Sequence, residues 1–115
     1  MKRGEIWWAD LGTYRPQEQT GKRPVIVWQS DTLIRVLQSV MVVPLTTNLS
    51  RGQLAGTAMI EATPDGPPTE SVALAFQLRA VPQSALRSKI RSLSESELAE
   101  LELATDEALG RVEPE

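Results

Sequence analysis

Residues 17–29, which read QEQTGKRPVIVWQ, join a polar segment to a short apolar strand. Pro24 disfavours helical geometry at the residue before it, so Arg23 is expected to be extended. Residues 25–27, Val-Ile-Val, are β-branched and continuous, which is typical of a strand buried on both faces. The stretch therefore predicts an arginine fixed at the root of a core strand. Such an arginine is well placed to hold a phosphate, or equally to pair with a surface carboxylate.

The composition limits the number of domains and the available chemistry. A chain of 115 residues supports one modest core, so residues 1–115 are expected to form a single domain. The chain has neither cysteine nor histidine, which excludes disulfides, thiol chemistry, the usual general base and the commonest metal ligand. No segment resembles a membrane span or a signal peptide. These features favour a cytoplasmic protein with no metal and no cofactor.

The net charge of −3 hides an asymmetry along the chain. Residues 1–91 hold eleven basic against seven acidic residues, a balance of +4, whereas residues 92–115 hold one against eight, a balance of −7. A basic body leaves room for a local phosphate-binding surface. The acidic terminal segment is expected to be a solvated helix face.

The pattern of apolar residues predicts a small twisted β-barrel of five to six short strands closed by a C-terminal helix. Ser94 and Glu97 form a capping box that starts this helix, and Gly110 ends it. Pro44 indicates that the third strand lies at an edge or ends there. The predicted strands are 4–11, 24–29, 39–45, 57–62, 71–81 and 87–93, with a polar turn at 30–32 and one helical turn at 82–86.

Several polar side chains lie where RNA or phosphate contacts are chemically reasonable. In the polar loop 12–21, Tyr14 and Arg15 are suited to stack on bases or contact phosphate, or alternatively to pack over the barrel mouth. Thr46, Thr47 and Asn48 follow the third strand, where they are either turn formers or neutral donors to phosphate oxygens. Gln77 and Arg79 are expected on one face of the fifth strand, with Val72, Leu74, Phe76 and Leu78 on the other.

Five segments in this order resemble the MazF/PemK/Kid family of toxin endoribonucleases. They are KRGEIWWADL, EQTGKRPVIV, VMVVPLTTN, SVALAFQLRAV and the helical SLSESELAEL. The pair formed by EQxGxRPV and a strand ending in P-x-T-[TS] is fairly specific. The resemblance covers nearly the whole chain.

The resemblance implies an SH3-like barrel that acts as a homodimer, with single-stranded RNA in a groove at the dimer interface. It implies sequence-specific, metal-independent cleavage by attack of a 2′-hydroxyl on the adjacent phosphate. It also implies a cognate antitoxin whose acidic, disordered tail lies across the RNA groove. Trp7 and Trp8, which face opposite sides of a strand, are expected to divide between the core and an interface or groove.

The resemblance also suggests roles for individual residues. Arg23 matches the catalytic arginine of the RPV motif, and Thr46 matches a threonine that hydrogen-bonds the same phosphate. Glu18 matches a loop acid that acts as base or orients Arg23. Contacts to RNA are expected from the remaining candidates, which are Tyr14, Arg15, Gln19, Lys22, Thr47, Asn48, Gln77 and Arg79.

Phe76 departs from the family pattern, because several members carry an acid before the Q-x-[RK] of this strand. The change predicts altered substrate choice or rate. Two alternatives remain open: a CcdB-like toxin that poisons gyrase without catalysis, and an inactive RNA- or peptide-binding module on the same barrel. The polar, acidic end GRVEPE argues against the gyrase alternative.

Overall fold

The computed structural model describes residues 1–12 and 22–114, and these form seven strands and two α-helices. The strands are β1 Glu5–Asp10, β2 Lys22–Val27, β3 Ser39–Thr46, β4 Thr57–Ile60, β5 Ser71–Leu74, β6 Arg79–Pro82 and β7 Leu86–Ser92. The helices are α1 Asp31–Val36 and α2 Glu95–Ala108, and short 3-10 helices cover Leu49–Gln53, Ala75–Gln77 and Gln83–Ala85. The mainly β fold with a C-terminal helix is confirmed.

The strands pair antiparallel in the order β4-β5-β3-β2-β1-β7, and β6 pairs with the first half of β3. β3 therefore has two successive partners on one side: β6 along 39–42 and β5 along 45–46. Within the described residues β4 and β7 are not paired with each other, so the twisted sheet stays open at this point.

The prediction of one strand over 71–81 is wrong. The segment is two strands, because the chain changes position along β3 and passes through a 3-10 helix at Ala75–Gln77. Of the two alternatives that Pro44 indicated, a strand end close by agrees with the end of β3 at Thr46, whereas an edge position is wrong because β3 is a central strand. Pro44 is buried in it, between the stretches that pair with β6 and β5.

The predicted polar turn at 30–32 is also wrong, because Asp31–Val36 forms α1. Only Ile34 of this helix is buried. The predicted helical turn after β6 is confirmed as the 3-10 helix Gln83–Ala85. The Gln83 side chain ties this region to α1 by donating from Nε2 to the carbonyl oxygens of Ile34 at 2.8 Å and Leu37 at 2.9 Å.

The run in β2 supplies side chains to both hydrophobic cores. Ile26 packs in the core between the sheet and α2, whereas Val25 and Val27 pack in the core on the other face. All three are fully buried, as predicted for a strand covered on both faces. Burial of each such side chain stabilises the fold by roughly 1.5–3 kcal/mol.

Helix α2 begins at the predicted capping box, in which Ser94 Oγ accepts from the Glu97 backbone N–H and Glu97 Oε1 accepts from the Ser94 N–H. The predicted stop is present as well, since Gly110 has a positive φ of 76°. Trp28 at the end of β2 is fastened to α2 by a 2.8 Å hydrogen bond from Nε1–H to Thr105 Oγ1. Within the described residues, no helix is long and apolar enough to cross a membrane.

The acidic face of α2 lies along β4, on the edge that does not pair with β5. Three backbone N–H groups donate to its glutamates: Gly56 to Glu107 at 3.2 Å, Met59 to Glu100 at 3.3 Å, and Glu61 to Glu97 at 3.0 Å. The helix face is therefore not simply solvated, as the sequence suggested. Its carboxylates satisfy donors that an uncovered edge strand leaves open.

A buried ion pair joins α2 to β7 and to the loop after β4. Arg91 donates to Glu97 Oε1 at 2.8 Å and to Glu97 Oε2 at 3.0 Å, and also to the carbonyl oxygens of Glu61 and Gly66. Burial opposes ionisation of Glu97, but the hydrogen bonds from Arg91, Ser94 and Glu61 outweigh it and lower its pKa from 4.5 to about 2. The hydrogen bond to Glu97 in turn raises the pKa of Arg91.

The two adjacent tryptophans of β1 divide as predicted between a packed and an exposed environment. Trp7 packs against the core that contains Val25, and its Nε1–H donates to Glu5 Oε1 at 3.1 Å. Glu5 also accepts from Lys89, and these bonds outweigh the effect of burial to lower its pKa. Trp8 is 39% exposed and lines a groove of about 260 Å³ with Ile90 and residues 63–68.

Candidate functional site

Arg23 and Thr46 lie on one face of the sheet, on adjacent strands. In the β2–β3 pair, Val25 is opposite Pro44, and the recorded pairing ends there. Arg23 and Thr46 each lie two residues from this pair, and residues two apart in a strand share a face. The two predicted catalytic residues that the structure describes therefore lie on the same face of adjacent strands.

The local backbone explains how these side chains are held. Arg23 pairs with Ala9 of β1 on its other side, and its side chain is exposed beyond the buried part of β2. Pro24 follows it and fixes its own φ, which limits movement of the strand end. The guanidinium is thus carried by a strand anchored in both cores and reaches solvent at its end.

Thr46 is only 8% exposed, and its hydroxyl is oriented by the residue two positions later. Its Oγ1 accepts the backbone N–H of Asn48 at 3.2 Å. A hydroxyl that accepts one bond still has its own proton to donate. Thr46 is therefore suited to donate a hydrogen bond to an oxygen placed beside Arg23.

Asn48 and Ser50 extend this polar surface beyond the end of β3. The Ser50 hydroxyl donates to Asn48 Oδ1 at 2.7 Å, and Thr47 and Asn48 are both exposed. Lys22 precedes Arg23 in β2 and pairs with Asp10, so it lies on the reverse face of the sheet from Arg23, and Thr47 follows the end of β3. Lys22 and Thr47 border the site from its edge rather than sharing the face of Arg23 and Thr46.

Gln77 and Arg79 do not share one strand, so the prediction that they form one polar strand face is wrong. Gln77 lies in the 3-10 helix Ala75–Gln77, and its buried Oε1 has no hydrogen-bond partner among residues 1–12 and 22–114. Arg79 is in β6 opposite Val42, which is itself opposite Val27. Val27 and Arg23 are four residues apart in β2, so Arg79 lies on the same sheet face as Arg23.

Phe76 was also expected to be on the apolar face with Val72 and Leu74, but it is 42% exposed. The Arg51 guanidinium carbon lies 5.7 Å from the centroid of its ring. The sequence signal for Arg51 was weak: a lone cation three residues after Asn48. Four predicted site residues, Tyr14, Arg15, Glu18 and Gln19, lie outside the described residues.

The described part of the site is cationic and has no metal-binding cluster. Residues 1–12 and 22–114 contain no group of three or more acidic, histidine or cysteine residues arranged to hold an ion. The side chains present are two arginines, hydroxyls and amides. Such groups bind phosphate oxygens and stabilise developing negative charge.

The family model for PemK-like, MazF-like toxins of type II toxin–antitoxin systems matches residues 2–109. The chain belongs to this family. Two proteins of similar sequence are the endoribonucleases MazF of Staphylococcus epidermidis and Staphylococcus saprophyticus, which are 32% and 31% identical to this chain. Each match spans 110 residues, which is 96% of this chain and 92% of the relative.

Solved structures of this family share the fold. The Mycobacterium tuberculosis toxin MazF-mt6 is 26% identical with a TM-score of 0.77, over 92% of this chain and 96% of that one. An endoribonuclease in complex with its cognate antitoxin, from a mycobacterial species, has a TM-score of 0.79 over 99% of both chains. At 22% identity the second likeness concerns the fold alone.

Proposed function

We propose that this PemK/MazF-family chain is a sequence-specific endoribonuclease toxin that cleaves single-stranded RNA without a metal ion. The observation that supports the proposal is that Arg23 and Thr46 lie on the same face of the adjacent strands β2 and β3, each two residues from the Val25–Pro44 pair. An exposed cation beside a buried hydroxyl donor is a suitable pair for a phosphate. Relatives at 31–32% identity are named endoribonucleases, which supports the same activity.

In the proposed reaction, the 2′-oxygen of one ribose forms a bond to the adjacent phosphorus, and the bond from phosphorus to the 5′-oxygen breaks. The 2′-hydroxyl loses a proton and the departing 5′-oxygen gains one. The products are a 2′,3′-cyclic phosphate and a 5′-hydroxyl. The phosphoryl oxygens gain negative charge on the way, so preorganised donors lower the barrier.

Arg23 and Thr46 are proposed to supply those donors. Arginine stays protonated at neutral pH, so Arg23 stabilises charge rather than abstracting a proton. Thr46 donates its hydroxyl proton to a phosphoryl oxygen. Glu18 is proposed as the base or as a residue that orients Arg23.

RNA contacts are proposed on both sides of this pair. Thr47, Asn48, Lys22, Gln77 and Arg79 would hold the strand. Tyr14, Arg15 and Gln19 are proposed to contact it from the loop 12–21.

The proposed assembly is a homodimer that acts in the cytoplasm and is neutralised by a cognate antitoxin. Support comes from relatives solved with MazE antitoxin in Deinococcus radiodurans and with a cognate antitoxin in a mycobacterial species. The basic balance of residues 1–91 suits an acidic antitoxin tail as well as RNA. The gyrase-poisoning alternative has no comparable support among these relatives.

The test is cleavage of a long single-stranded RNA in excess EDTA by the wild type and by Arg23→Ala. We expect discrete cuts with 5′-hydroxyl ends from the wild type and a loss of about 100-fold or more in rate for the variant. Because Arg23 is exposed, the variant should unfold at nearly the wild-type temperature, which serves as the folding control. Intact RNA after incubation with folded wild type, over varied sequences, would reject the proposal.

A further inference from the structure

Phe76 and Arg51 form an exposed aromatic–cation pair near the proposed site. The Phe76 ring is 42% exposed, and the Arg51 guanidinium carbon lies 5.7 Å from its centroid. A single exposed hydrophobic residue is ordinary on a protein surface. The pair differs because a partly exposed ring and a planar cation are presented together.

The segment that carries Arg51 continues directly from the polar residues after β3. The Asn48 backbone donates to Thr46 Oγ1, and the Ser50 hydroxyl donates to Asn48 Oδ1. The 3-10 helix Leu49–Gln53 then brings Arg51 to the ring. A short chain segment with hydrogen-bonded polar side chains at Thr46, Asn48 and Ser50 therefore leads to this pair.

The packing of Gly52 shows which face of the sheet this segment covers. A β-carbon at Gly52 would lie 3.5 Å from Val72 Cγ2, and Val72 is opposite Thr46 in the β3–β5 pair. The segment thus lies on the sheet face of Thr46. Phe76 is four residues after Val72, in the 3-10 helix Ala75–Gln77 that follows β5.

We propose that Phe76 and Arg51 form a stacking subsite for one unpaired nucleobase that flanks the scissile phosphate. This inference rests on the proposed ribonuclease function. An aromatic ring stacks on any base, and an arginine beside it stacks or contacts phosphate. Phe76 has no hydrogen-bonding group, so the subsite contributes affinity for single-stranded RNA rather than recognition of a particular base.

The position of the ring is fixed from below by a glycine. A β-carbon at Gly56 would lie 3.3 Å from Phe76 Cδ2, closer than most such contacts, and Gly56 has a φ of 79°. The ring is thereby seated against backbone on one side, and 42% of the residue remains exposed to solvent. A base that stacks on it meets a surface that is already in place.

The test measures binding of single-stranded 12-mers whose 2′-oxygens are methylated, so that binding is separated from cleavage. The sequence is taken from the first mapped cut, or is a random mixture if the wild type does not cut RNA. We expect Phe76→Leu to bind about 5-fold or more weakly and Phe76→Trp to bind like the wild type. Leu103→Ala, which alters an exposed side chain of α2, is the matched control and should bind normally.

A series of 12-mers, each with one abasic nucleotide at a different position, identifies the nucleotide whose base stacks on Phe76. For the wild type, removal of one particular base should weaken binding about 5-fold or more; for Phe76→Leu, the same removal should change little. Three results would overturn the subsite. The first is equal affinity of wild type and Phe76→Leu for the intact 12-mer, and the second is an equal loss of affinity in both proteins at every abasic position. The third is no binding of the 12-mer by the wild type. Thermal unfolding of each variant excludes misfolding as the cause.

The two proposals fail in different ways. Wild type that binds the 12-mer through Phe76 but never cuts unmodified RNA leaves the subsite in place and rejects the nuclease. Wild type that cuts RNA, with unchanged binding by Phe76→Leu, leaves the nuclease in place and rejects the subsite.

Discussion

Replacement of Glu97 by glutamine should destabilise the fold by about 3 kcal/mol at pH 7. A carboxyl whose pKa is lowered from 4.5 to about 2 contributes roughly this amount at neutral pH. Glu97 is 5% exposed, so solvent screens its interaction with Arg91 only weakly. Glutamine keeps the size of the side chain and is compatible with the capping box, so the change mainly removes the charge.

The pH dependence of this loss has a definite sign. Because the folded-state pKa is lowered, the stabilisation is complete well above pH 4.5 and is lost as the pH falls towards 2. The difference between wild type and Glu97→Gln should therefore shrink from about 3 kcal/mol at pH 7 to about 1.5 kcal/mol at pH 3.

Urea unfolding at both pH values, at one protein concentration, measures the difference directly. Glu100→Gln is the matched control, because Glu100 is exposed and accepts only a 3.3 Å bond from the Met59 N–H; it should cost less than about 1 kcal/mol. In a double-mutant cycle, Glu97→Gln and Arg91→Gln together should cost less than the sum of the two single changes. A loss that is independent of pH, or additive single changes, would refute the role assigned to the ion pair.

Two further changes test the site and the attachment of α2. Thr46→Val removes the hydroxyl proposed to donate to the phosphate and should slow RNA cleavage about 100-fold, with unfolding little altered; an unchanged initial rate would exclude Thr46 from the phosphate site. Trp28→Phe removes the Nε1–H donor to Thr105 and should lower the free energy of unfolding by about 1 kcal/mol. Scanning calorimetry should show this as a fall of a few degrees in Tm, whereas an unchanged Tm would show that the bond makes no net contribution to stability.

The sequence was most informative where one pattern had one structural meaning. The β-branched run of residues 25–27 is a strand buried on both faces, and Ser94 with Glu97 is the capping box of α2. Both signals are local, so the rest of the fold does not change them.

The errors occurred where distant partners decide local structure. SVALAFQLRAV alternates without interruption, yet the chain leaves the sheet at Ala75–Gln77 because β5 and β6 pair with different parts of β3. Nothing within the segment reports that change of partner. Helix α1 has six residues and a single buried side chain, too few for a helical period to stand out.

The sequence predicted Glu97 as part of the capping box, but it did not predict the ion pair of Glu97 with Arg91. Arg91 lies on the preceding strand, and its guanidinium also holds the carbonyl oxygens of Glu61 and Gly66. A sequence pattern locates one end of such a contact and leaves the other unspecified.

The row of carboxylates along β4 suggests that the acidic C-terminal segment protects this edge of the sheet from pairing with another chain. Glu97, Glu100 and Glu107 occupy backbone donors that a strand from a second molecule would otherwise use. A second chain that approaches this edge therefore meets charged carboxylate oxygens instead of unpaired backbone N–H groups. The same surplus of acid that keeps the net charge negative thus limits growth of the sheet into larger β-assemblies at neutral pH. The hydrogen bonds to Glu97 lower the pKa of its carboxyl to about 2, so this one of the three carboxylates keeps its charge in mildly acidic solution.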